Sequence, residues 1–200
     1  MFSIVQRGQH VLNHAVTLIG ILSVFIALSS YALLQQGGAF NLPSTISGVS
    51  PQATVRMSRR FGSVGSKEKE NNKLTFDLQA DLTPLFNWNT KQIFVYLTAE
   101  YPGKSEGSSN KVTYWDKIIT SKDNANLTLQ NEKSKYSVWD VEDTFRNREA
   151  TVKLEWDIQP YVGILISGET TGEVDVVFPT PPTGEEARAE KMKKRQQKQH

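Results

Sequence analysis

The residue types that most often carry enzyme chemistry are scarce in this chain of 200 residues. It has no cysteine, which excludes disulfides, zinc–thiolate sites and cysteine nucleophiles. Its three histidines are His10, His14 and His200, close to the two ends of the chain. We therefore predict that no Ser-His-Asp system is assembled inside the folded body, and we expect neither a metal nor a cofactor there.

Two kinds of chemistry stay open without histidine or cysteine. One is a Ser–Lys pair, because lysines lie near several serines in turn-like segments, namely Ser105, Ser108, Ser109, Ser134 and Ser137. The other is a pair of carboxylates on one strand, either Asp77 with Asp81 or Glu155 with Asp157. Both pairs fall on faces predicted to meet water, and no G-x-S-x-G motif frames the serines. We therefore favour a body without catalytic residues.

Aromatic side chains could instead serve a protein interface, where Trp and Tyr are favoured. Trp156 belongs to an alternating apolar stripe and is predicted to lie in the core. Trp115 adjoins Asp116 near the middle of a predicted strand, which favours an exposed position. The predicted interface candidates are therefore Trp115, Asp116, Tyr114 and Trp88.

A stretch of twenty uncharged residues runs from Ala15 to Leu34. A helix of that length spans about 30 Å, the thickness of the hydrocarbon layer, so residues 15–34 are predicted to be a transmembrane helix. The alternative is a cleaved signal peptide, since Ser30 and Ala32 resemble a cleavage site. The apolar run continues past that site, which favours a retained anchor.

The flanks of this helix predict its orientation. Arg7 precedes it and the next charged residue is Arg56, so residues 1–14 are predicted to be cytosolic and the body lumenal. A glycosylation sequon begins at Asn126, which agrees with a lumenal body. Residues 183–200 carry six Lys or Arg against three Glu and predict a basic, flexible tail. The rest of the body is slightly acidic, so no nucleic-acid partner is expected.

The body itself shows the pattern of an all-β fold. Residues 35–51 are rich in Gly, Pro and Ser and predict a linker that lifts the domain off the bilayer. Residues 52–182 contain short alternating runs separated by turn-forming clusters. The predicted strands are Leu74–Leu82, Ile93–Ala99, Val112–Ile119, Leu127–Leu129, Tyr136–Trp139, Val152–Ile158, Gly163–Ile166 and Val174–Phe178. Two sheets packed face to face bury such stripes, so the predicted fold is an antiparallel β-sandwich.

Three stretches together resemble the signal peptidase complex subunit 3 family. They are LTFDLQADLTPLFNWNTKQIFVYLTAEY at Leu74–Tyr101, KVTYWDKII at Lys111–Ile119 and LEWDIQPYVGILISGETTGEVDVVFP at Leu154–Pro179. With the N-terminal anchor, the likeness covers roughly Arg7 to Pro179. One departure is the sequon, which in that family lies just upstream of the tryptophan strand, where this chain has Glu149-Ala150-Thr151.

The resemblance implies one anchor helix in the endoplasmic reticulum membrane and a lumenal β-sandwich without catalytic residues. It also implies that the chain stabilises and positions the catalytic subunit of the signal peptidase complex. Expected partners are the complex's other subunits, the bilayer through residues 15–34, and the translocon. A membrane-anchored glycan-binding or glycan-processing protein is the alternative from another class. A secreted binding module, released by cleavage near Ala32, is a third.

Overall fold

The computed structural model describes residues 3–56, 69–103, 105, 107–139 and 146–182. The predicted basic tail, 183–200, lies outside these residues. The described chain begins with one long apolar helix and continues with strands that form two antiparallel sheets. The prediction of an antiparallel β-sandwich behind one N-terminal apolar helix is confirmed.

The helix α1 runs from Ile4 to Gln36 and is longer than the predicted span. Ser3 caps its start by accepting a hydrogen bond from the N–H of Gln6, and it ends at Gly37. The segment that precedes the apolar stretch is thus also helical. No proline occurs before Pro43, so nothing of that kind interrupts the helix. His10 and His14 lie on this helix and not in the sandwich.

The strands are divided between two sheets in consecutive pairs. Sheet A has the order β1-β2-β5, with β6 also paired to β2, and sheet B has the order β4-β3-β7-β8. Their bounds are β1 Ser44–Arg56, β2 Lys69–Asp81, β3 Thr90–Pro102, β4 Ser109–Ile119, β5 Asn126–Lys133, β6 Val138–Trp139, β7 Glu149–Pro160 and β8 Ile166–Val177. All the pairings are antiparallel, as is usual when each sheet has one face on the core and one toward water.

The core lies between the inner faces of the two sheets. In β7 the alternating residues Val152, Leu154, Trp156 and Ile158 are fully buried, as their spacing predicts. Phe76 of sheet A contacts the ring of Trp115 of sheet B edge-on, with the ring centroids 6.0 Å apart. The two sheets are thus held together by direct packing of their inward side chains.

The prediction of a linker over residues 35–51 was wrong from Ser44 onward, where β1 begins. Gly48 lies at a bulge in β1, and Pro51 is tolerated because β1 is an edge strand of sheet A. Gly48 and Pro51 thus contribute to the linker-like composition of residues 35–51 although both lie in a strand. The body is also not held away from the helix, since Ser30 and Leu34 of α1 are buried against it.

The two predicted strands at Gly163–Ile166 and Val174–Phe178 are replaced by the single strand β8. Residues 163–165 belong to the loop between β7 and β8. Gly168 and Gly172 interrupt the alternating pattern inside β8, and each lies where another chain segment comes close. Because glycine is unfavourable inside strands, residues 167–173 of β8 were not predicted to be part of a strand.

Candidate interaction surfaces

Three of the serines considered for a Ser–Lys pair have hydroxyls in structural hydrogen bonds, within a turn or to residues of β2. The hydroxyl of Ser108 donates to the carbonyl of Ser105 at 2.7 Å, and that of Ser137 donates to Oδ1 of Asn71 at 2.5 Å. The hydroxyl of Ser134 accepts a hydrogen bond from the N–H of Leu74 at 3.1 Å. These partners are backbone and amide groups, so the hydroxyls act structurally.

Asp77 also has a structural role. Its Oδ1 accepts a hydrogen bond of 2.6 Å from the N–H of Asn131, which has a positive φ beside an irregularity in the pairing of β2 with β5. Its Oδ2 lies so close to Gly48 that a Cβ there would be only 2.6 Å away. Asp77 therefore supports the irregular backbone on both sides of β2.

Asp81 supports the turn that follows β2. Its Oδ1 accepts a hydrogen bond of 2.9 Å from the N–H of Thr83. The hydroxyl of Thr83, and next its N–H, lower the pKa of the Asp81 carboxyl below its ordinary value of 3.8. Asp81 is therefore stabilised as the anion, which is unsuited to the role of a general acid near neutral pH.

Glu155 does not face open water, contrary to the prediction for its strand face. It is only 8% exposed, because Thr98 and Lys111 cover it on the outer face of sheet B. Its Oε1 accepts a hydrogen bond of 2.6 Å from the hydroxyl of Thr98 and lies 2.6 Å from Nζ of Lys111. The alternation correctly placed Glu155 outside the core but carried no information on these neighbours.

Tyr96 and Asp157 complete this group, which we call the outer cluster: Tyr96, Thr98, Lys111, Glu155 and Asp157. Burial, followed by the charges of Asp157 and Glu155, raises the pKa of Tyr96 to about 12. The Tyr96 hydroxyl is therefore protonated at neutral pH and supplies no base. The outer cluster therefore combines the Lys111–Glu155 ion pair with hydrogen bonds to Glu155 on the outer face of sheet B.

The interface candidates Trp115 and Tyr114 lie in the core of the structure. The pairing of β3 with β4 shifts register there, so that Trp115 lies opposite Leu97 and Thr113 opposite Thr98. Tyr114 is the extra residue of this bulge. Neither ring is at the surface, which the simple alternation could not indicate.

Asp116 lies on β4, an edge strand of sheet B, beside the segment that leads into β6. Nζ of Lys135 is 3.5 Å from its Oδ1, and the same ammonium group lies 5.8 Å from the centre of the Trp115 ring. A hydrogen bond to Asp116 raises the pKa of Tyr136, which is half exposed. Asp116 stays a predicted interface residue, now with Lys135 and Tyr136 beside it.

Trp88, the remaining interface candidate, is 59% exposed in the loop between β2 and β3. Three further large apolar side chains are exposed in the loop between β7 and β8, namely Tyr161, Ile164 and Leu165. We call these four residues the anchor-end surface. Of these four residues, only Trp88 was predicted from the sequence, although the absence of charge from residue 158 to residue 168 was a usable signal for the other three.

One stripe of α1 packs against this end of the sandwich. Nδ2 of Asn87 donates to the hydroxyl oxygen of Ser30 at 2.9 Å and to its carbonyl at 3.2 Å. The ring of Tyr31 contacts Phe40, whose ring contacts Trp156 in the core, with 5.8 Å between centroids in each pair. The last turns of the helix are thereby fixed to the body.

The rest of α1 is exposed and apolar. An 18-residue window of the helix has a mean hydropathy of 2.2, and none of that window is buried. By length and composition α1 could cross a membrane. No group of three or more His, Asp or Glu residues that could hold a metal ion is found among the described residues.

Asn126 is the first residue of β5, and its side chain is exposed. Thr128, the third residue of the sequon, is exposed as well, because residues two apart on a strand share a face. Glycosylation at Asn126 stays a prediction.

Comparisons with known proteins agree on one family. The sequence profile of a family described as signal peptidase subunit matches residues 1–181. The chain is 56% identical over 179 residues to signal peptidase complex subunit 3 of Debaryomyces hansenii, covering 89% of this chain and 94% of that protein. It is 53% identical to the protein of that name in Saccharomyces cerevisiae, over 86% of this chain and 94% of the relative. The human protein of that name is 43% identical over 107 residues, or 53% of this chain and 59% of its own length.

Proposed function

Because the chain belongs to the signal peptidase subunit family, we propose that it is a non-catalytic accessory subunit of a signal peptidase complex. In this role it stabilises and positions the catalytic subunit for cleavage of signal peptides from nascent secretory and membrane proteins. The position of the histidines is the observation that supports a role without catalysis. Two lie on α1 and the third is the last residue, so the sandwich has no imidazole to act as a general base.

The proposal places α1 across the endoplasmic reticulum membrane with the N-terminus cytosolic and the sandwich lumenal. Arg7 before the apolar stretch and the absence of charge between it and Arg56 support this orientation. Glycosylation reports on it directly. The full chain made with microsomes is expected to lose a glycosidase-sensitive mobility shift when Asn126 is changed to Gln, and Asn110→Gln is the matched control. Modification of engineered sequons before Arg7 would contradict the orientation.

The proposed partners are the catalytic subunit, the other subunits of the complex, the bilayer and the translocon. Asp116 and Trp88 are the exposed or partly exposed candidates for these contacts. Mild-detergent purification of the full chain is expected to recover the catalytic subunit. An Asp116→Lys substitution, which reverses the charge facing Lys135, is expected to reduce that recovery more than Lys117→Ala on the same strand.

Depletion tests the function in cells. Loss of the chain is expected to lower the amount of the catalytic subunit and to let uncleaved precursors accumulate, because the proposed role is to stabilise that partner. Re-expression of the full chain restores processing. Normal processing after complete loss would contradict the proposal.

A glycan-directed function would use a different part of the molecule. A polar groove of about 430 Å³ lies beside Asp77, Gln79 and Asn131 on sheet A. If the chain bound or hydrolysed oligosaccharides there, Asp77→Asn would abolish it. We expect no measurable oligosaccharide binding by the full chain and no effect of this substitution on precursor processing.

A further inference from the structure

The position of the body along α1 limits where a bilayer can lie. Gly163, in the loop between β7 and β8, is so close to the helix that a Cβ there would be 3.2 Å from Cβ of Ala27. On the other side, the N-terminal part of α1 that contains Arg7, His10 and His14 ends at His14, and between there and Ala27 the only polar side chains are the hydroxyls of Thr17 and Ser23, which bond to helix carbonyls. Between them lie only the twelve residues 15–26, which span about 18 Å, whereas the hydrocarbon layer is roughly 30 Å thick. A bilayer crossed by α1 must therefore extend past Ala27, to the level of this loop.

The anchor-end surface, which lies at this level, has the composition of a membrane contact. Ile164 is 81% exposed, Leu165 65% and Tyr161 68%. Neither of the segments that carry this surface, residues 82–90 and 158–168, contains a charged residue. Large aliphatic residues with Trp and Tyr beside them are the side chains that favour the boundary between lipid tails and headgroups.

Backbone N–H and C=O groups of the loop between β7 and β8 are also hydrogen-bonded within the protein, as a lipid environment requires. The carbonyl of Asn89 accepts a hydrogen bond from the N–H of Tyr161 at 2.8 Å. The side chain of Asn89, which is buried, accepts from the N–H of Val162 at 3.1 Å and donates to its carbonyl at 2.8 Å. Backbone groups at membrane depth must be satisfied by protein, and Asn89 does this for three of them.

We propose that the anchor-end surface is a membrane-binding surface. Ile164 and Leu165 insert among lipid acyl chains beside α1, and Trp88 and Tyr161 lie among the headgroups. An apolar cleft of about 270 Å³ between α1 and the loop, lined by residues that include Leu28, is open to the same acyl chains. The inference rests on the proposed function in one respect, that α1 crosses the membrane.

The absence of cysteine makes the surface directly testable in the full chain. Single cysteines are introduced as Leu165→Cys, as Val24→Cys within α1, and as Ser109→Cys at the opposite end of sheet B. Each is labelled with an environment-sensitive fluorophore, and the chain is reconstituted in phosphatidylcholine vesicles that contain nitroxide-labelled lipid. Quenching at position 165 is expected to approach that at position 24 and to exceed that at position 109 several-fold.

The outcomes separate this inference from the proposed function. Strong quenching at position 24, with quenching at position 165 as weak as at position 109, would overturn the membrane-binding surface and leave the anchor intact. Weak quenching at all three positions would overturn both. In the background of Asn89→Ala, quenching at position 165 is expected to fall while that at position 24 is unchanged, because Asn89 only positions the loop.

A protein could cover the same surface in the assembled complex, and a second measurement detects it. A photo-reactive phenylalanine analogue is placed at position 165, or at position 109 as the control, and cross-linked in intact cells. Few protein adducts at position 165, together with lipid quenching, support the membrane contact. An abundant adduct with another subunit would overturn it.

Discussion

At the scale of single residues, several side chains that could have been catalytic have a structural role instead. Asp77, Asp81 and the hydroxyl of Ser134 each accept a hydrogen bond from a main-chain N–H. The hydroxyl of Ser137 donates to the side-chain oxygen of Asn71. Irregular backbone needs such partners, because its N–H and C=O groups lie outside the regular ladders. Carboxylates and hydroxyls near turns are therefore weak indicators of catalysis in a β-sandwich.

The link between Thr83 and Asp81 predicts a pH effect. Replacing Thr83 with Val removes the hydroxyl that most strongly lowers the pKa of Asp81, so this pKa is expected to rise toward 3.8. Because the folded-state pKa is lowered, its contribution to stability is present above the unfolded-state value and is lost as pH falls through the folded value. The ¹³C shift of the Asp81 carboxyl, followed against pH in the micelle-bound full chain, measures this. An unchanged pKa, equal to that in the control Thr45→Val, would contradict it.

Gly168 predicts a packing effect. A Cβ at this position would lie 2.3 Å from a ring carbon of Trp156, which is fully buried. Gly168→Ala is expected to lower the free energy of unfolding by about 1–3 kcal/mol, the usual cost of overpacking. Urea titration followed by tryptophan fluorescence measures the loss, with Ser167→Ala on the exposed face as control. Equal midpoints for the two variants would show that the ring moves aside freely.

At the scale of elements, the junction between β1 and β8 joins the two sheets on one side of the sandwich. The N–H of Thr171 donates to the carbonyl of Leu42 at 2.9 Å, and the hydroxyls of Ser44 and Thr170 are 2.7 Å apart. Gly172 permits this approach, since a Cβ there would be 2.1 Å from the carbonyl oxygen of Ser44. The junction therefore depends on a residue that sequence patterns count against a strand.

Opening of this junction is the expected result of Gly172→Ala, because the carbonyl of Ser44 cannot move without displacing β1. Hydrogen exchange at the amide of Thr171 is expected to become faster by at least an order of magnitude, since about 1.4 kcal/mol of local destabilisation gives a tenfold change. Ser167→Ala again serves as the control. Unchanged protection of Thr171 would mean that β1 and β8 are held together by other contacts.

The elements that the sequence predicted well are those with regular alternation. β2, β3 and β7 each contain apolar residues at alternate positions that the structure buries, such as Leu74, Phe76 and Leu78 in β2. The strands whose extent or side-chain orientation was predicted wrongly each contain a local exception. β1 has the bulge at Gly48, β4 has the extra residue Tyr114, and β8 contains two glycines at close approaches. A one-residue bulge reverses the side-chain alternation beyond it, so no fixed period can follow such strands.

At the scale of the whole molecule, the sandwich and α1 act as one unit. Rings from Tyr31 through Phe40 to Trp156 connect the helix to the core, and Asn87 bonds the helix backbone at Ser30. A subunit that is fixed to its anchor can hold a neighbouring subunit at a defined height above the membrane. This rigidity, which the predicted linker would not have provided, is consistent with a positioning role.

Signal-peptide cleavage by purified components tests the non-catalytic role most directly. The full chain alone, the complex without it, and the complete complex are each given the same preprotein in detergent micelles. We expect no cleavage by the chain alone and the highest rate from the complete complex, because the sandwich has no histidine to act as a general base and, in the proposed role, stabilises the subunit that cleaves. Cleavage of the preprotein by the isolated chain would contradict the proposed function.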